Sequence, residues 1–134
     1  GQSRNSMLSN GCIINGTVIN SVLSPGVRVE AGAVVRDTVI MNDTVIGAGA
    51  QVYECVLDKE IEIGAEAQLG WGNDCTPNQL EPANINTGIT IVGKRARIPA
   101  KACIGRNCRI DPNTSADDYD LLEIPSGGTV SRRE

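Results

Sequence analysis

The chain of 134 residues contains no histidine and no phenylalanine, and aromatic residues make up only 2% of it. Without histidine it lacks the most common general base, and a zinc site loses its most common nitrogen ligand. The five cysteines form no CxxC pair, which removes the usual cysteine arrangement of structural zinc sites. We therefore expect no catalytic residue and no metal site, and we predict free thiols, several of them facing the core.

Long apolar runs and a basic overall charge are also missing. No run approaches the roughly 18 apolar residues of a membrane-spanning helix, and no signal peptide begins the chain. The net charge of −4 argues against a general nucleic-acid binder, which needs a basic surface. A glycine-rich phosphate loop, a serine nucleophile elbow and paired catalytic carboxylates are absent too. We expect a cytoplasmic protein with neither a nucleic-acid nor a membrane partner.

An aliphatic repeat dominates what is present. Residues 29–45 match residues 46–62 at an offset of 17, and residues 5–14 match residues 20–29 at an offset of 15. Large aliphatic residues recur at steps of five or six along the chain. After Gly88 the large aliphatic residues recur at a strict step of six, at Val92, Ile98, Ile104 and Ile110. A small residue lies four positions after each of the first three, at Ala96, Ala102 and Cys108. Such spacing does not produce the 3.6-residue stripe of a helix.

The repeat predicts an all-β fold, a parallel β-helix built from hexapeptides. Each hexad supplies a short strand with an inward aliphatic residue, followed by a corner rich in Gly, Asn and Asp. Three hexads close a triangular coil, and successive coils stack at about 4.8 Å. Stability then comes from stacking, because one coil cannot bury its own inward face.

We predict one domain over residues 1–134 with about five coils. Residues 1–69 are coils, residues 70–90 form an extruded loop, and residues 91–111 form a further coil. Residues 112–134 are a capping tail in which "LLEIP" and "GGTV" are expected to form a hairpin. The chain starts without Met in polar "GQSRNS" and soon enters the repeat, so we expect it to be part of a longer protein.

A basic run, "GKRARIPAKACIGRNCRI", occupies residues 93–110 and contains six Lys or Arg residues and no acidic one. None of the six occupies an inward hexad position, and successive hexads lie on different faces of the prism. The run therefore wraps around the coil and forms no single basic stripe. Solvated surface is the simplest interpretation for four of its members, Arg97, Lys101, Arg106 and Arg109.

Two lysines stand apart from this run. Lys59 lies two residues after Leu57, and Lys94 lies two residues after Val92, so both occupy the same hexad position. If Val92 resumes the face that begins at Leu57, the two lysines stack about one coil apart, roughly 5 Å. An anion bound between them would relieve their mutual repulsion.

Residues 5–112 resemble the C-terminal domain of glucose-1-phosphate adenylyltransferases. The resemblance is carried by "NSMLSNGCIINGTVINSVLSPGVRVEAGAVVRDTVIM", "VLDKEIEIG" and "NTGITIVGKRARIP" in that order. It implies a left-handed coil in a regulatory and oligomerisation domain that has no cofactor of its own. The parent enzyme would use ATP and Mg²⁺ in an N-terminal catalytic domain to make ADP-glucose and diphosphate from glucose 1-phosphate, for glycogen or starch synthesis.

The same resemblance implies partners and site residues. Family members form homotetramers and bind small anionic metabolites as activators. Their activator-binding lysines match Lys59 in "LDKE" and Lys94 in "VGKRARIP", and Arg95 is a further candidate. Glu60 and Glu62 depart from the family pattern beside Lys59, where carboxylates oppose anion binding.

Two other functions are compatible with the sequence. The chain fits a β-helix domain of another sugar nucleotidyltransferase, such as one that makes GDP-mannose or dTDP-glucose. It also fits a non-enzymatic hexapeptide scaffold that acts through protein contacts alone. Hexapeptide acyltransferases and γ-class carbonic anhydrases are excluded, because both need histidine.

Overall fold

A computed structural model describes residues 1–133, which fold into three parallel β-sheets wrapped around one core. In stacking order, sheet A contains β1 Gln2–Arg4, β4 Thr17–Ile19, β7 Val34–Arg36, β10 Gln51–Tyr53, β13 Gln68–Leu69, β16 Cys103–Ile104 and β18 Glu123–Ile124. Sheet B contains β2 Met7–Leu8, β5 Val22–Leu23, β8 Val39–Ile40, β11 Cys55–Leu57, β14 Thr90–Val92, β17 Arg109–Ile110 and β19 Thr129–Val130. Sheet C contains β3 Ile13–Ile14, β6 Arg28–Val29, β9 Val45–Ile46, β12 Glu62–Ile63 and β15 Arg97–Ile98.

The core is built from inward aliphatic side chains, one from each strand in the middle of the three sheets. These side chains form three vertical stacks, one behind each sheet, and nearly all are fully buried. The stacks are Val18, Val35, Val52, Leu69 and Ile104; Leu23, Ile40, Leu57, Val92 and Ile110; and Val29, Ile46, Ile63 and Ile98. The small residues Ala96, Ala102 and Cys108 are also buried, so the hexad assignment is confirmed.

The strand register confirms both repeat offsets. Met7 pairs with Val22 at an offset of 15, whereas Val22 pairs with Val39 at an offset of 17. The shorter offset belongs to the first coil alone, because the next coils pair at 17 in all three sheets. The first coil is therefore two residues shorter than the next ones, and the stacks of core residues above it stay in register.

Corners repeat as regularly as strands. After each of the first six strands of sheet B, the backbone takes a left-handed conformation, and the non-glycine residues there are Asp43, Glu60, Arg95 and Asn113, with φ between 59° and 62°. A non-glycine residue at such an angle carries conformational strain on the order of 1 kcal/mol. The contacts between stacked coils must therefore hold the corner in this conformation. Each corner N–H donates to the coil beneath, as Glu60 does to the Asn42 carbonyl at 2.8 Å.

Three expectations about the fold have different outcomes. The extruded loop is confirmed, because no strand lies between Leu69 and Thr90. The expected five coils are too few, since seven strands stack in each of sheets A and B. The expected tail hairpin is wrong: β18 and β19 lie in different sheets, where they pair in parallel with β16 and β17. The tail thus adds a final turn because Ile124 and Val130 keep the six-residue step.

No helix in the described part of the chain has the length and apolar character needed to span a bilayer. The described helical segment is a 3₁₀ turn, Ala116–Asp118, that interrupts the tail before β18.

Candidate functional site

Lys59 and Lys94 lie at the same corner on adjacent coils. The register pairs Leu57 with Val92, so Lys59 and Lys94, each two residues further on, are aligned, and the N–H of the next residue, Arg95, donates to the Lys59 carbonyl at 3.1 Å. The face assignment that the sequence left conditional is therefore correct. We call residues 58–61 and 93–96 the lysine corner.

The carboxylates that oppose anion binding are paired with arginines of the next coil. Arg95 Nε lies 2.8 Å from Glu60 Oε2, and Arg97 Nε lies 3.4 Å from Glu62 Oε2. Arg97 Nη1 also donates to the Glu60 carbonyl at 2.9 Å. Glu60 and Glu62 are thus neutralised by groups one coil away, so the departure from the family pattern has a local compensation.

Lys59 and Lys94 differ from the neighbouring arginines in their contacts. Within residues 1–133 no ion pair involves Lys59 or Lys94. Lys59 is exposed and Lys94 is half-buried. The Asp58 carboxylate accepts the Lys59 backbone N–H at 2.7 Å and so contributes to the turn. Two lysines at aligned positions on adjacent coils suit a phosphate or carboxylate ligand.

The electrostatics of the corner act on Glu60. The hydrogen bond from Arg95, followed by the charge of Arg95, holds the pKa of Glu60 below its ordinary value, and Lys94 and Lys59 add to the shift. Glu60 therefore stays ionised and bound to Arg95 at neutral pH. Arg95, the third predicted effector-binding residue, has its Nε engaged by this carboxylate.

The remaining basic residues lie elsewhere and have other contacts. Lys101 occupies the corner between sheets C and A, at φ 64°. Arg106 Nη1 lies 2.7 Å from Glu54 Oε2, and Arg109 is held between Glu81 and Asp111. The basic run therefore wraps around the coil as predicted.

Asn107 fixes the extruded loop, a role that sequence reasoning missed. Its Nδ2 donates to the carbonyls of Cys75 and Thr76 at 3.0 and 3.2 Å, and its Oδ1 accepts the Gly88 N–H at 2.7 Å. Arg106 assists by donating to the Gly72 carbonyl at 2.6 Å. Asparagine at a hexad corner ("RNC") looks like an ordinary turn residue, so only the fold reveals that its side chain spans the loop.

A small cavity lies where this loop meets the coils. It has a volume of about 180 Å³ and is lined by Trp71, Asp74, Cys103 and Glu123 among others. Typical ligand sites are roughly 300–1,000 Å³. A second, open cavity of about 480 Å³ lies in the tail beside Tyr119 and Asp120. The lysine corner is the candidate site because it brings Lys59 and Lys94 together on adjacent coils.

Comparisons with known proteins show which family the chain belongs to. Residues 1–92 match the protein family described as GlmU-like, C-terminal hexapeptide. The chain is 56% identical to a glucose-1-phosphate adenylyltransferase of Thermomicrobium roseum. This match extends over 127 residues, which is 94% of the chain. It is 40% and 43% identical to the enzymes of the same name from Acetivibrio thermocellus and Ruminiclostridium cellulolyticum, over 97% and 95% of the chain. The chain spans 30% of the length of each of these relatives.

Proposed function

This chain belongs to the GlmU-like C-terminal hexapeptide family, and we propose that it is the regulatory and oligomerisation domain of a glucose-1-phosphate adenylyltransferase. The observation that carries the proposal is the 56% identity to an enzyme of that name over 94% of the chain. Identity at this level over nearly the whole repeat is more specific than a shared hexapeptide pattern.

In the proposal, the whole protein converts ATP and glucose 1-phosphate to ADP-glucose and diphosphate. That chemistry belongs to an amino-terminal nucleotidyltransferase domain, which would hold ATP and Mg²⁺. No group of three or more Cys, Asp or Glu side chains that suits a metal ion occurs within residues 1–133.

The domain's own contribution is the binding of a small anionic activator at the lysine corner. Support comes from the stacking of Lys59 on Lys94 and from the pairing of Glu60 and Glu62 with arginines. A ligand with two anionic groups would bridge the two ammonium groups and would bind more weakly as salt rises. We further propose that the whole protein is a homotetramer in the cytoplasm.

The decisive experiment begins with the full-length gene. Purified full-length protein is incubated with Mg²⁺ and each pair of sugar 1-phosphate and nucleoside triphosphate, and the diphosphate released is measured. ADP-glucose formation from ATP and glucose 1-phosphate is the expected result. Formation of GDP-mannose or dTDP-glucose would show that the protein is another sugar nucleotidyltransferase. A full-length gene that encodes no nucleotidyltransferase domain would favour a non-enzymatic scaffold.

A further inference from the structure

Glu60 lies within the cluster of positive charges at the lysine corner. Its carboxylate accepts a hydrogen bond from Arg95 Nε at 2.8 Å. Lys59 precedes Glu60 directly in the chain, and Lys94 occupies the position of Lys59 on the next coil. The Arg95 hydrogen bond, the Arg95 charge and the charges of Lys94 and Lys59 together lower the pKa of this carboxyl group. The three residues predicted to bind an effector thus already act on an anion, and that anion belongs to the protein itself.

A bound activator would interact with the same groups as Glu60. Carboxylates and phosphates both accept charge-assisted hydrogen bonds from a guanidinium, and both are attracted by ammonium groups. The single N–H of Arg95 Nε is already directed at Glu60. An anion that enters the lysine corner and the Glu60 carboxylate therefore compete for Arg95.

Arg95 is held more loosely than an arginine with a structural role. Within residues 1–133 its side chain makes one hydrogen bond, through Nε, and its two amino groups have no partner. The side chains of Arg95 and Glu60 are 54% and 43% exposed, and ion pairs this exposed contribute little to stability. Arg109, by comparison, is 28% exposed and donates three hydrogen bonds to Asp111 and Glu81. Arg95 can therefore exchange Glu60 for another anion readily.

A phosphate group is the anion that competes best with Glu60. A phosphate monoester carries about −1.5 to −2 charges at pH 7 and three acceptor oxygens, whereas Glu60 carries a single charge. Its oxygens can engage Arg95 through two parallel hydrogen bonds, of which Glu60 forms one. The class of ligand that these groups favour is thus a phosphorylated metabolite.

We propose that Glu60 is a built-in competitor at the lysine corner: it occupies the anion position in the free protein, and a phosphorylated activator binds by displacing it from Arg95. This inference rests on the proposed function, which supplies the activator. Lys59, Lys94 and Arg95 would then all contact the activator. Glu60 lowers the affinity of the corner for anions and so sets the activator concentration to which the protein responds.

Calorimetric titration of the full-length protein tests this competition without relying on enzyme activity. Fructose 1,6-bisphosphate is the probe, and heat that persists in Lys59→Gln/Lys94→Gln is subtracted as binding elsewhere. Glu60→Gln removes the competing charge and keeps the size of the side chain, so we expect the Kd at the corner to fall at least about fivefold. Glu62→Gln is the matched control, because Glu62 also pairs with an arginine on the surface. It should change the Kd less than about twofold, since exposed charges are screened.

Arg95 distinguishes displacement from simple repulsion between Glu60 and the ligand. In the Glu60→Gln background Arg95 no longer has its carboxylate and binds the probe directly, so adding Arg95→Gln should raise the Kd at least about tenfold. Arg28→Gln in the same background is the control, because Arg28 forms an equivalent surface pair with Glu30, from Nε to Oε1 at 2.9 Å. If Glu60 acts by repulsion alone, the two arginine variants have equally small effects, and the inference is wrong.

Each other outcome has a definite meaning. A Kd in Glu60→Gln that is no lower than in Glu62→Gln overturns the inference. Absence of any binding that depends on Lys59 and Lys94 overturns it as well. ADP-glucose synthesis measured on the same samples separates the two proposals. Competition at the corner without this activity contradicts only the proposed enzyme, whereas activity with a Kd that does not respond to Glu60→Gln contradicts only the built-in competitor.

Discussion

Leu57 and Val92 are stacked neighbours in the core, paired in parallel register although the extruded loop separates them in sequence. This one pairing aligns every later residue of the two coils. Lys94 therefore occupies the position of Lys59 on the next coil, and Arg95 occupies that of Glu60. The loop leaves the stack after Leu69 and returns at Thr90 without shifting the register. A site made from two distant segments thus depends on one core contact.

Leu57→Ala is expected to lower the free energy of unfolding by about 2–5 kcal/mol. Leu57 is fully buried between Ile40 and Val92, and the stacked coils cannot collapse into the space that it leaves. Urea denaturation followed by circular dichroism measures the loss. Val56→Ala, on the outer face of the same strand, is the control and should cost less than about 1 kcal/mol in the chain of residues 1–134. Equal losses for the two variants would contradict the inward assignment of Leu57.

Gly47→Ala tests how closely the coils approach each other at a corner. A Cβ at this position would lie 2.6 Å from the Ile63 carbonyl oxygen and 2.8 Å from the Ala65 nitrogen, both of them backbone atoms of the next coil. We expect a loss of about 1–3 kcal/mol in the free energy of unfolding, since neither atom can move away easily. Gly32→Asn serves for comparison: its nearest neighbour is 3.7 Å away, and Asn tolerates the φ of 76°. A larger loss for Gly32→Asn than for Gly47→Ala would be inconsistent with this packing.

Arg95→Gln is expected to return the pKa of Glu60 toward its ordinary value. In the native chain the hydrogen bond and charge of Arg95 lower that pKa, so Glu60 stabilises the fold above its ordinary pKa and loses that contribution as the pH falls through the lowered value. A carbon-detected NMR titration of the Glu60 carboxyl group would reveal the shift. Arg28→Gln, which removes a different surface pair, should leave the titration of Glu60 unchanged. An unaltered pKa in Arg95→Gln would mean that the ion pair does not form in solution.

Asn107→Leu removes the group that holds the extruded loop. The side chain of Asn107 is buried, and its loss leaves the Gly88 N–H and the Cys75 and Thr76 carbonyls without their partner. Gly88 is buried, and an unpaired buried N–H costs about 1–3 kcal/mol, so the loop should open more often. Hydrogen exchange of the Gly88 amide is expected to accelerate at least about tenfold. The exposed Asn86→Ala should change it little, and unchanged exchange in Asn107→Leu would show that other contacts hold the loop.

Much of the fold could be predicted because inward positions tolerate only aliphatic or small residues. The 17- and 15-residue offsets and the extruded loop follow from the spacing of these inward positions. The final coil was missed even though Ile124 and Val130 keep the six-residue step, since the acidic 3₁₀ segment before them hides the return to the stack.

The candidate site was predictable in part. Its backbone alignment follows from counting hexads from Leu57 and Val92, because register is set by the core. The pairing of Arg95 with Glu60 depends on side-chain conformations across two coils, which a single sequence does not specify.

The most direct test of the account measures activation of the full-length enzyme by anions. Fructose 1,6-bisphosphate, pyruvate and 3-phosphoglycerate are titrated while ADP-glucose formation is followed, in the wild type and in the double variant Lys59→Gln/Lys94→Gln. Lys101→Gln, at another corner, is the control for loss of a surface charge. We predict that the double variant needs at least about tenfold more activator, whereas the control behaves like the wild type. Unchanged activation of the double variant by the effective anion would contradict the assignment of the lysine corner as the effector site.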